Sequence, residues 1–205
     1  MEDKQLQIDL PDSRTGGISI LLVGSTRSGK TTLTKHLLHK YFKDHIQLLM
    51  SPNIHAPVYR DLDKNTMTCA EFRPEIIKEC YDINRKTDNH YDFLVVLDDV
   101  VNKKFDKELL KLFTTHRNAN VSAIQSIQSP ILLNSAMRGN INIILLGYMN
   151  SDESCEKVIR MFCYASISGK NIEEKIHEYK RLTADHHWIV VNNLDGVIYR
   201  TKIKI

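Results

Sequence analysis

One short stretch, Gly24–Thr32, constrains the fold of this chain more than any other. It reads G-S-T-R-S-G-K-T-T and matches the pattern G-x-x-x-x-G-K-[S/T] of a loop that wraps nucleotide phosphates. The apolar run Ile18–Val23 precedes the loop and suits a buried strand. After the loop, apolar residues recur at helical spacing: Leu33, Leu37, Leu38 and Phe42. A phosphate loop lies between a strand and a helix, so the flanking sequence supports the motif.

The residue types within the loop fit phosphate binding. Gly24 and Gly29 permit backbone angles and close approaches that a side chain would block. The N–H groups of the loop then form an anion-binding concavity, and the following helix adds its positive end. Lys30 would bring a positive charge to the β- and γ-phosphates, and Thr31 would offer its hydroxyl to Mg²⁺. An ordinary glycine turn is the alternative. We predict that the whole stretch binds nucleotide: Gly24, Ser25, Thr26, Arg27, Ser28, Gly29, Lys30, Thr31 and Thr32.

Composition places the chain among ordinary globular proteins. It has 205 residues, of which 42% are hydrophobic and 26% charged, values typical of one domain with a real core. The net charge of +3 does not by itself indicate a nucleic-acid partner. No run of about 18 apolar residues occurs, so no membrane partner is expected. The four cysteines form no C-x-x-C pair, and we expect reduced thiols. We expect a polar lead-in over residues 1–17 and a single domain over residues 18–205.

Strands and helices alternate in the predicted order of elements. Further strands are predicted over Ile46–Met50, Tyr91–Leu97, Val121–Ile127 and Ile141–Leu146. Helices are predicted from Pro74, around residues 105–113, around Ile131–Met137, around residues 158–163 and over Asn171–Arg181. Residues 51–70 are expected to form an irregular surface excursion near the nucleotide. This alternation is typical of an α/β fold with a mostly parallel sheet flanked by helices.

The chain closes with a predicted antiparallel hairpin. Its strands are Trp188–Val191 and Val197–Ile205, and the turn is Asp195–Gly196. Three cations of the last strand would share one face: Arg200, Lys202 and Lys204. They either protect an edge strand against aggregation, which we favour, or contact DNA.

Two acids and an amide are candidates for chemistry. Asp98 and Asp99 end the second long apolar run, and a carboxylate at such a strand end holds Mg²⁺ in phosphate-loop ATPases. The acid beside it can orient or deprotonate the attacking water. Gln128 follows the strand Val121–Ile127 at its carboxyl end, which faces the ligand crevice of an open parallel sheet. A solvated acidic turn and a loop-capping amide are the alternatives.

Four pieces of the chain, in this order, are similar to the FtsK/HerA superfamily of ATPases. Within it, the chain resembles the genome-packaging ATPases of large and satellite double-stranded DNA viruses of the poxvirus kind. The pieces are Gly24–Thr32, Phe93–Asp99, Arg117–Ser122 running into Gln128, and Arg138–Asn140 before a strand. Two positions depart from the usual pattern. Asp99 stands where many relatives have glutamate, and Asn118 stands where a histidine is common in viral members.

The resemblance implies a P-loop ATPase of the RecA and FtsK/HerA kind that works as a ring-forming motor. Such a motor translocates double-stranded DNA into a capsid and uses ATP and Mg²⁺. The implied partners are double-stranded DNA, other copies of the chain in a homo-oligomeric ring, and capsid or portal vertex proteins. The implied location is the host cytoplasm, in a viral factory, and the virion.

The resemblance also assigns roles to site residues. Thr31 and Asp98 would hold the metal, Asp99 would polarise water, and Gln128 would sense the γ-phosphate. An arginine at either Arg117 or Arg138 would act on the nucleotide of a neighbouring subunit. Both arginines are expected beside the loops at the nucleotide end, and we favour Arg117.

Other functions are weighed against this one. A GTPase should carry N-K-x-D, but Asn102-Lys103-Lys104-Phe105 lacks the final aspartate. A small-molecule kinase usually has an arginine-rich lid, and no such cluster is seen in the sequence. A nucleotide-gated DNA-binding or assembly subunit with little turnover stays open, and a comparison of its hydrolysis with a Lys30→Ala control would distinguish it.

Overall fold

An eight-stranded sheet forms the centre of the protein in a computed structural model that describes residues 1–10, 16–100 and 106–202. The strands lie in the order β3-β2-β4-β5-β1-β6-β7-β8. They are β1 Ser19–Val23, β2 Ile46–Met50, β3 Thr66–Cys69, β4 Phe93–Asp98, β5 Val121–Ile127, β6 Ile143–Leu146, β7 His187–Asn192 and β8 Val197–Lys202. The first six are parallel, and β7 and β8 close the sheet as an antiparallel hairpin. The predicted α/β fold and its final hairpin are confirmed.

Helices cover both faces of this sheet. They are α1 Lys30–Tyr41, α2 Pro74–Lys86, α3 Lys107–Thr114, α4 His116–Ala119, α5 Ser135–Asn140, α6 Asp152–Val158 and α7 Ile172–Thr183. One π-helical turn, Ile159–Cys163, continues α6, and two 3-10 turns lie at Pro57–Tyr59 and Pro130–Leu132. Apolar side chains of α1 pack on one face of the sheet, while those of α2, α3, α6 and α7 pack on the other.

The central strands have the composition that this position requires. Every residue of β1, β4 and β5 is buried. A parallel strand covered by helices on both faces needs apolar residues along its whole length, in contrast to an alternating pattern. The unbroken apolar runs in the sequence therefore correspond to the strands at the middle of the sheet.

Several elements differ from the sequence-based predictions. Strand β3 lies within residues 51–70, which were expected to be irregular. The helix predicted around Ile131–Met137 is a 3-10 turn followed by α5, because Pro130 starts a short turn and Asn134 caps a new helix. Residues 101–105, with the start of the helix predicted around residues 105–113, and residues 203–205, with Lys204, lie outside the described residues.

The first residues of the chain pack onto the domain. Leu6 and Ile8 are buried beside α1. The backbone of residues 2–4 pairs with β8, since the Lys4 N–H donates to the Arg200 carbonyl at 2.8 Å and the Arg200 N–H donates to the Glu2 carbonyl at 2.9 Å. The outer edge of β8 is thus covered at this point by the chain's own start. Over the described ranges, none of the helices is long and apolar enough to cross a membrane.

Candidate functional site

The phosphate loop occupies the edge of the sheet at which the parallel strands end. It leaves β1 and is tied to both neighbouring strands. The Gly24 N–H donates to the Ile127 carbonyl at 3.2 Å, and the Ser25 N–H donates to the Tyr148 carbonyl at 2.9 Å. Gly29 has φ +95°, a left-handed angle that favours glycine, and it turns the chain into α1. The loop therefore lies at the amino end of a helix, as phosphate binding requires.

The other loop residues are placed around this turn. Thr26 and Arg27 are exposed, and Arg27 also has a left-handed backbone, with φ +66°. Ser28 is buried, and its Oγ has no hydrogen-bond partner among the described residues. Thr31 and Thr32 lie half-buried in the first turn of α1. The stretch thus has the expected form of a curved loop followed directly by a helix.

Lys30 is buried beneath the loop. Its Nζ donates to the carbonyls of Gly24 and Ser25 at 2.8 and 3.1 Å. The same Nζ lies 3.9 Å from Oδ1 of Asp99. Burial lowers the pKa of Lys30 below its ordinary value of 10.5, and the charges of Asp99 and Asp98 oppose that shift. The ammonium group is therefore anchored within the loop that would receive phosphates.

Asp98 is held by three hydroxyl groups. The carboxylate is almost fully buried at the end of β4, with 2% exposure of the residue. It accepts a hydrogen bond from Thr31 Oγ1 at 2.9 Å and further bonds from the hydroxyls of Tyr59 and Ser126. A carboxylate with several donors is stabilised in its charged form. The predicted pairing of Asp98 with Thr31 is therefore observed directly.

Tyr59 and Ser126 were not predicted to belong to the site. Tyr59 is buried in the 3-10 turn within the irregular stretch, so this excursion does reach the nucleotide end. Burial, followed by the neighbouring charge of Asp98, raises the pKa of Tyr59 above its ordinary value of 10.0. The phenol thus stays protonated and donates to Asp98. The period-2 spacing of Ser126 and Ile124 within β5 could have indicated that Ser126 faces the same side as the strand's buried residues, but not that it meets Asp98.

Asp99 adopts a backbone angle that is uncommon for a residue with a side chain. Its φ is +53°, which aspartate and asparagine tolerate better than most residues. The Asp99 N–H donates to Ser126 Oγ at 3.1 Å, which fixes the turn after β4. Its Oδ1 is buried and has no hydrogen-bond partner in the described part of the chain. A buried carboxylate oxygen without a partner, beside Lys30, is suited to a ligand that brings a proton donor or a cation.

The donor set at this edge fits Mg²⁺. Thr31 Oγ1 and the Asp98 carboxylate are hard oxygen donors 2.9 Å apart, and Asp99 adds a second carboxylate nearby. Mg²⁺ in nucleotide sites is typically bound through one or two carboxylates together with phosphates and water. The predicted assignment of Thr31 and Asp98 to the metal thus agrees with the geometry.

Gln128 lies beside the loop. It follows β5 directly and is exposed, and its Oε1 accepts a hydrogen bond from Thr26 Oγ1 at 3.3 Å. The sheet order places β5 between β4 and β1, so Gln128 lies between the acids and the loop. This is the position expected for a residue that contacts the terminal phosphate or its water.

Arg117 and Arg138 do not lie beside the nucleotide-end loops, and that expectation was wrong. Arg117 lies in α4, just before β5 begins, and Arg138 lies in α5, before β6 begins. Residues that precede a parallel strand lie at its amino end, and β5 spans seven residues, or roughly 23 Å at the usual rise. Both arginines are therefore at the far edge of the sheet. Neither reaches the nucleotide edge of its own chain, and a role toward a neighbouring chain stays a prediction.

The fold is shared with solved structures of DNA-packaging ATPases. The DNA-packaging ATPase B204 from Sulfolobus Turreted Icosahedral Virus is 13% identical, with a TM-score of 0.65 over 93% of this chain and 100% of its own. The genome packaging NTPase B204 from Sulfolobus turreted icosahedral virus 2, in complex with ATP-gammaS, is 14% identical, with a TM-score of 0.65 over 92% of this chain and 98% of its own.

A bacterial-type conjugation protein has a similar fold as well. The pCW3 conjugation coupling protein TcpA, solved with ATPgS, is 14% identical, with a TM-score of 0.59 over 90% of this chain and 60% of its own. The sequence matches no family model and no curated protein. At these identities the similarity establishes the fold, and at that level it confirms the resemblance to packaging ATPases.

Proposed function

We propose that this chain is an ATPase that translocates double-stranded DNA during viral genome packaging and works as a homo-oligomeric ring. One observation carries the ATPase assignment. Thr31 of the phosphate loop donates to Asp98 at 2.9 Å, and Asp99 with its unpartnered oxygen follows directly. A metal-binding hydroxyl, a metal-binding acid and a second acid next to a phosphate loop are the parts that phosphoryl transfer needs.

The residues would divide the work as follows. The loop's N–H groups and Lys30 hold the β- and γ-phosphates and offset their charge. Mg²⁺, when held by Thr31 and Asp98, would offset further charge on the phosphate oxygens. Asp99 accepts a proton from, or orients, the water that attacks the γ-phosphate in line. Gln128, next to the loop, contacts that phosphate or places the water.

The DNA part of the proposal is supported by the fold. The solved proteins with this fold include DNA-packaging ATPases, and they cover nearly the whole of this chain. The implied partners are double-stranded DNA, other copies of the chain and capsid or portal vertex proteins, in the host cytoplasm and the virion. With a net charge of only +3, one copy would bind DNA weakly. A ring would sum many weak contacts through effective concentration.

Nucleotide hydrolysis is tested first. Wild-type protein should release phosphate from ATP in a Mg²⁺-dependent manner, and Lys30→Ala and Asp98→Ala should lose that activity. Loss of one charge-stabilising group typically costs about 3 kcal/mol or more of barrier, or at least 10²-fold in rate. The exposed Lys43, in the turn after α1, provides the matched control Lys43→Ala, which should keep the wild-type rate. A Lys30→Ala protein as active as wild type would refute the assignment.

DNA-dependent activity separates the motor from the other functions. Duplex DNA should raise ATP turnover by the assembled protein at low salt, regardless of sequence, and the stimulation should fall as salt rises. A nucleotide-gated assembly subunit would bind DNA but hydrolyse no faster than Lys30→Ala. A small-molecule kinase would hydrolyse ATP without responding to DNA. Absence of both DNA binding and stimulation would exclude the motor.

A further inference from the structure

A groove lies against the phosphate loop on the side away from the acids. Its volume is about 560 Å³, which is within the range of roughly 300–1,000 Å³ for small-molecule sites. The loop contributes one wall, with Arg27 and Ser28. The other walls come from the segment after β6 and from the turn between α7 and β7, and they include Tyr148, Asn150, Asp185 and His186. None of these last four residues has a part in the chemistry described above.

The groove is attached to the loop by direct contacts. The Tyr148 carbonyl accepts from the Ser25 N–H at 2.9 Å, and Ser25 Oγ accepts from the Asn150 N–H at 2.9 Å. On the other side, His186 Nδ1 lies only 3.5 Å from the point that a Cβ on Gly29 would occupy. Both walls of the groove are thus held in position relative to the loop.

The sheet order gives the direction in which a bound nucleotide would extend. β5 and β4 lie on one side of β1 and carry Gln128 and the acids, while β6 and β7 lie on the other side and carry the groove. A triphosphate whose γ-phosphate meets Asp99 and Gln128 passes along the loop by way of Lys30. Its other end then leaves the loop toward β6 and β7.

The side chains of the groove suit a sugar and a base. Tyr148 is 38% exposed and offers an aromatic ring to the solvent side of the groove. Base–aromatic stacking contributes substantially to nucleotide binding. Asn150 and Asp185 are exposed polar side chains that can accept hydrogen bonds from ribose hydroxyls or an amino group.

The turn that carries Asp185 and His186 is strained. Both residues have left-handed backbones, with φ +53° and +59°. Two consecutive left-handed residues other than glycine are costly, and such strain is concentrated at ligand clamps and active sites. The turn is held by the His187 N–H, which donates to the Ala184 carbonyl at 3.1 Å, and it keeps His186 against Gly29.

We infer that this groove binds the nucleoside part of the nucleotide, with the base stacked on Tyr148 and Asp185 and His186 closing the opposite wall. The inference rests on the proposed function, because it assumes that the loop holds a triphosphate. It adds the residues that would separate a nucleotide from a bare polyphosphate.

Two ligands distinguish the groove from the loop. ATP-gammaS carries both phosphates and nucleoside, whereas inorganic tripolyphosphate carries the phosphates alone. Calorimetric titration with Mg²⁺ should show that Tyr148→Ala and His186→Asn weaken ATP-gammaS binding at least five-fold and leave tripolyphosphate affinity within two-fold of wild type. Asparagine is chosen at position 186 because it tolerates the left-handed backbone. Tyr164→Ala, at a 45% exposed tyrosine that does not line the groove, is the matched control and should change neither affinity.

The outcomes separate the two levels of the proposal. If wild-type protein binds neither ligand, the proposed function fails. If it binds both and the groove variants bind ATP-gammaS as wild type does, the groove inference is overturned while the ATPase assignment stands. If the variants weaken both ligands equally, the groove residues act only on the shape of the loop, and the inference is again overturned.

Discussion

The hydroxyl of Tyr59 donates a hydrogen bond to the same carboxylate oxygen of Asp98 that accepts one from Thr31. The two donors come from parts of the chain that are far apart in sequence, a 3-10 turn after β2 and the first turn of α1. Ser126 on β5 donates to the other oxygen. The proposed metal-binding acid is thus oriented by groups on three separate elements, and Tyr59 acts as a positioning residue.

Replacement of Tyr59 by phenylalanine tests this positioning role. Tyr59→Phe keeps the ring and removes only the hydroxyl, so one donor to the Asp98 charge is lost. We expect the Mg²⁺ concentration for half-maximal ATP hydrolysis to rise about 10-fold or more, as is usual when a group that orients a metal ligand is removed. Tyr81→Phe is the control, since Tyr81 is also buried but its hydroxyl faces the Lys111 carbonyl at 3.3 Å. Identical Mg²⁺ curves for wild type and Tyr59→Phe would rule out a positioning role.

The middle of the sheet could be predicted from the sequence because burial on both faces leaves a clear pattern. β2 and β5 have the predicted bounds, Ile46–Met50 and Val121–Ile127. β3 was missed because it is an edge strand of four residues whose middle positions are exposed. Such a short strand depends on pairing with β2 and carries little signal of its own.

The site could be predicted only where its residues share a local motif. The loop and the two acids are short motifs at strand ends, and both were found. Tyr59 was missed because its contact with Asp98 spans 39 residues and depends on how the chain returns to the sheet. The arginines were misplaced because closeness in sequence to Gln128 was taken as closeness in space, although β5 separates Arg117 from Gln128 by its full length.

Gly147 is predicted to tolerate no side chain. A Cβ there would lie 2.7 Å from the ring of Trp188, which is 2% exposed and cannot move aside. We expect Gly147→Ala to lower the free energy of unfolding by about 1–3 kcal/mol through overpacking. Gly139→Ala is the control, because a Cβ at that helical position meets nothing within 4 Å and should stabilise by about 0.5–1 kcal/mol. Urea unfolding of both variants gives the comparison, and equal stability would contradict the prediction.

The buried Lys30 predicts a pH dependence. Because burial lowers its pKa below 10.5, we expect kcat/KM for ATP to fall as the pH rises through this lowered value, where the ammonium charge is lost. The effect on stability has the opposite sign. Between the lowered pKa and 10.5, the unfolded chain binds the Lys30 proton more than the folded chain does, so this residue's contribution to stability rises with pH.

Comparison with Lys30→Met isolates the contribution of Lys30 to stability. The free energy of unfolding of wild type minus that of Lys30→Met should increase with pH over this window. Urea unfolding at several alkaline pH values measures the difference. A difference that is constant or that decreases with pH would show that Lys30 has no lowered pKa in the folded protein.

Asp99 is predicted to act on water and not on nucleotide binding. Asp99→Asn removes the negative charge and keeps the size, and asparagine also tolerates the φ of +53°. We expect kcat to fall by about 10²-fold or more, in line with the loss of a general base. The affinity for ATP-gammaS, measured by calorimetry, should stay within a few-fold of wild type. Retained turnover would assign the role of Asp99 to another group.

The far-edge arginines lead to a prediction about neighbouring subunits. Arg117 is exposed at the edge of the sheet opposite the phosphate loop, and within the described residues its guanidinium has no hydrogen bond or ion pair. The Arg138 guanidinium, in contrast, donates to the Leu133 carbonyl at 2.8 Å and is half-buried. An arginine that serves a neighbouring subunit must be free to reach outward, so we favour Arg117 for that role.

Mixing of two inactive variants tests whether Arg117 acts across an interface. An arginine supplied from a neighbouring chain can contribute on the order of 10³-fold or more to the rate while adding little to nucleotide binding. Arg117→Ala should therefore bind ATP-gammaS as wild type does and hydrolyse ATP poorly. Mixed with Lys30→Ala, it should regain part of the activity, because some interfaces then combine an intact loop with an intact arginine. Mixed rings that form without any recovery would count against the role, and recovery with Arg138→Ala in its place would assign the role to Arg138.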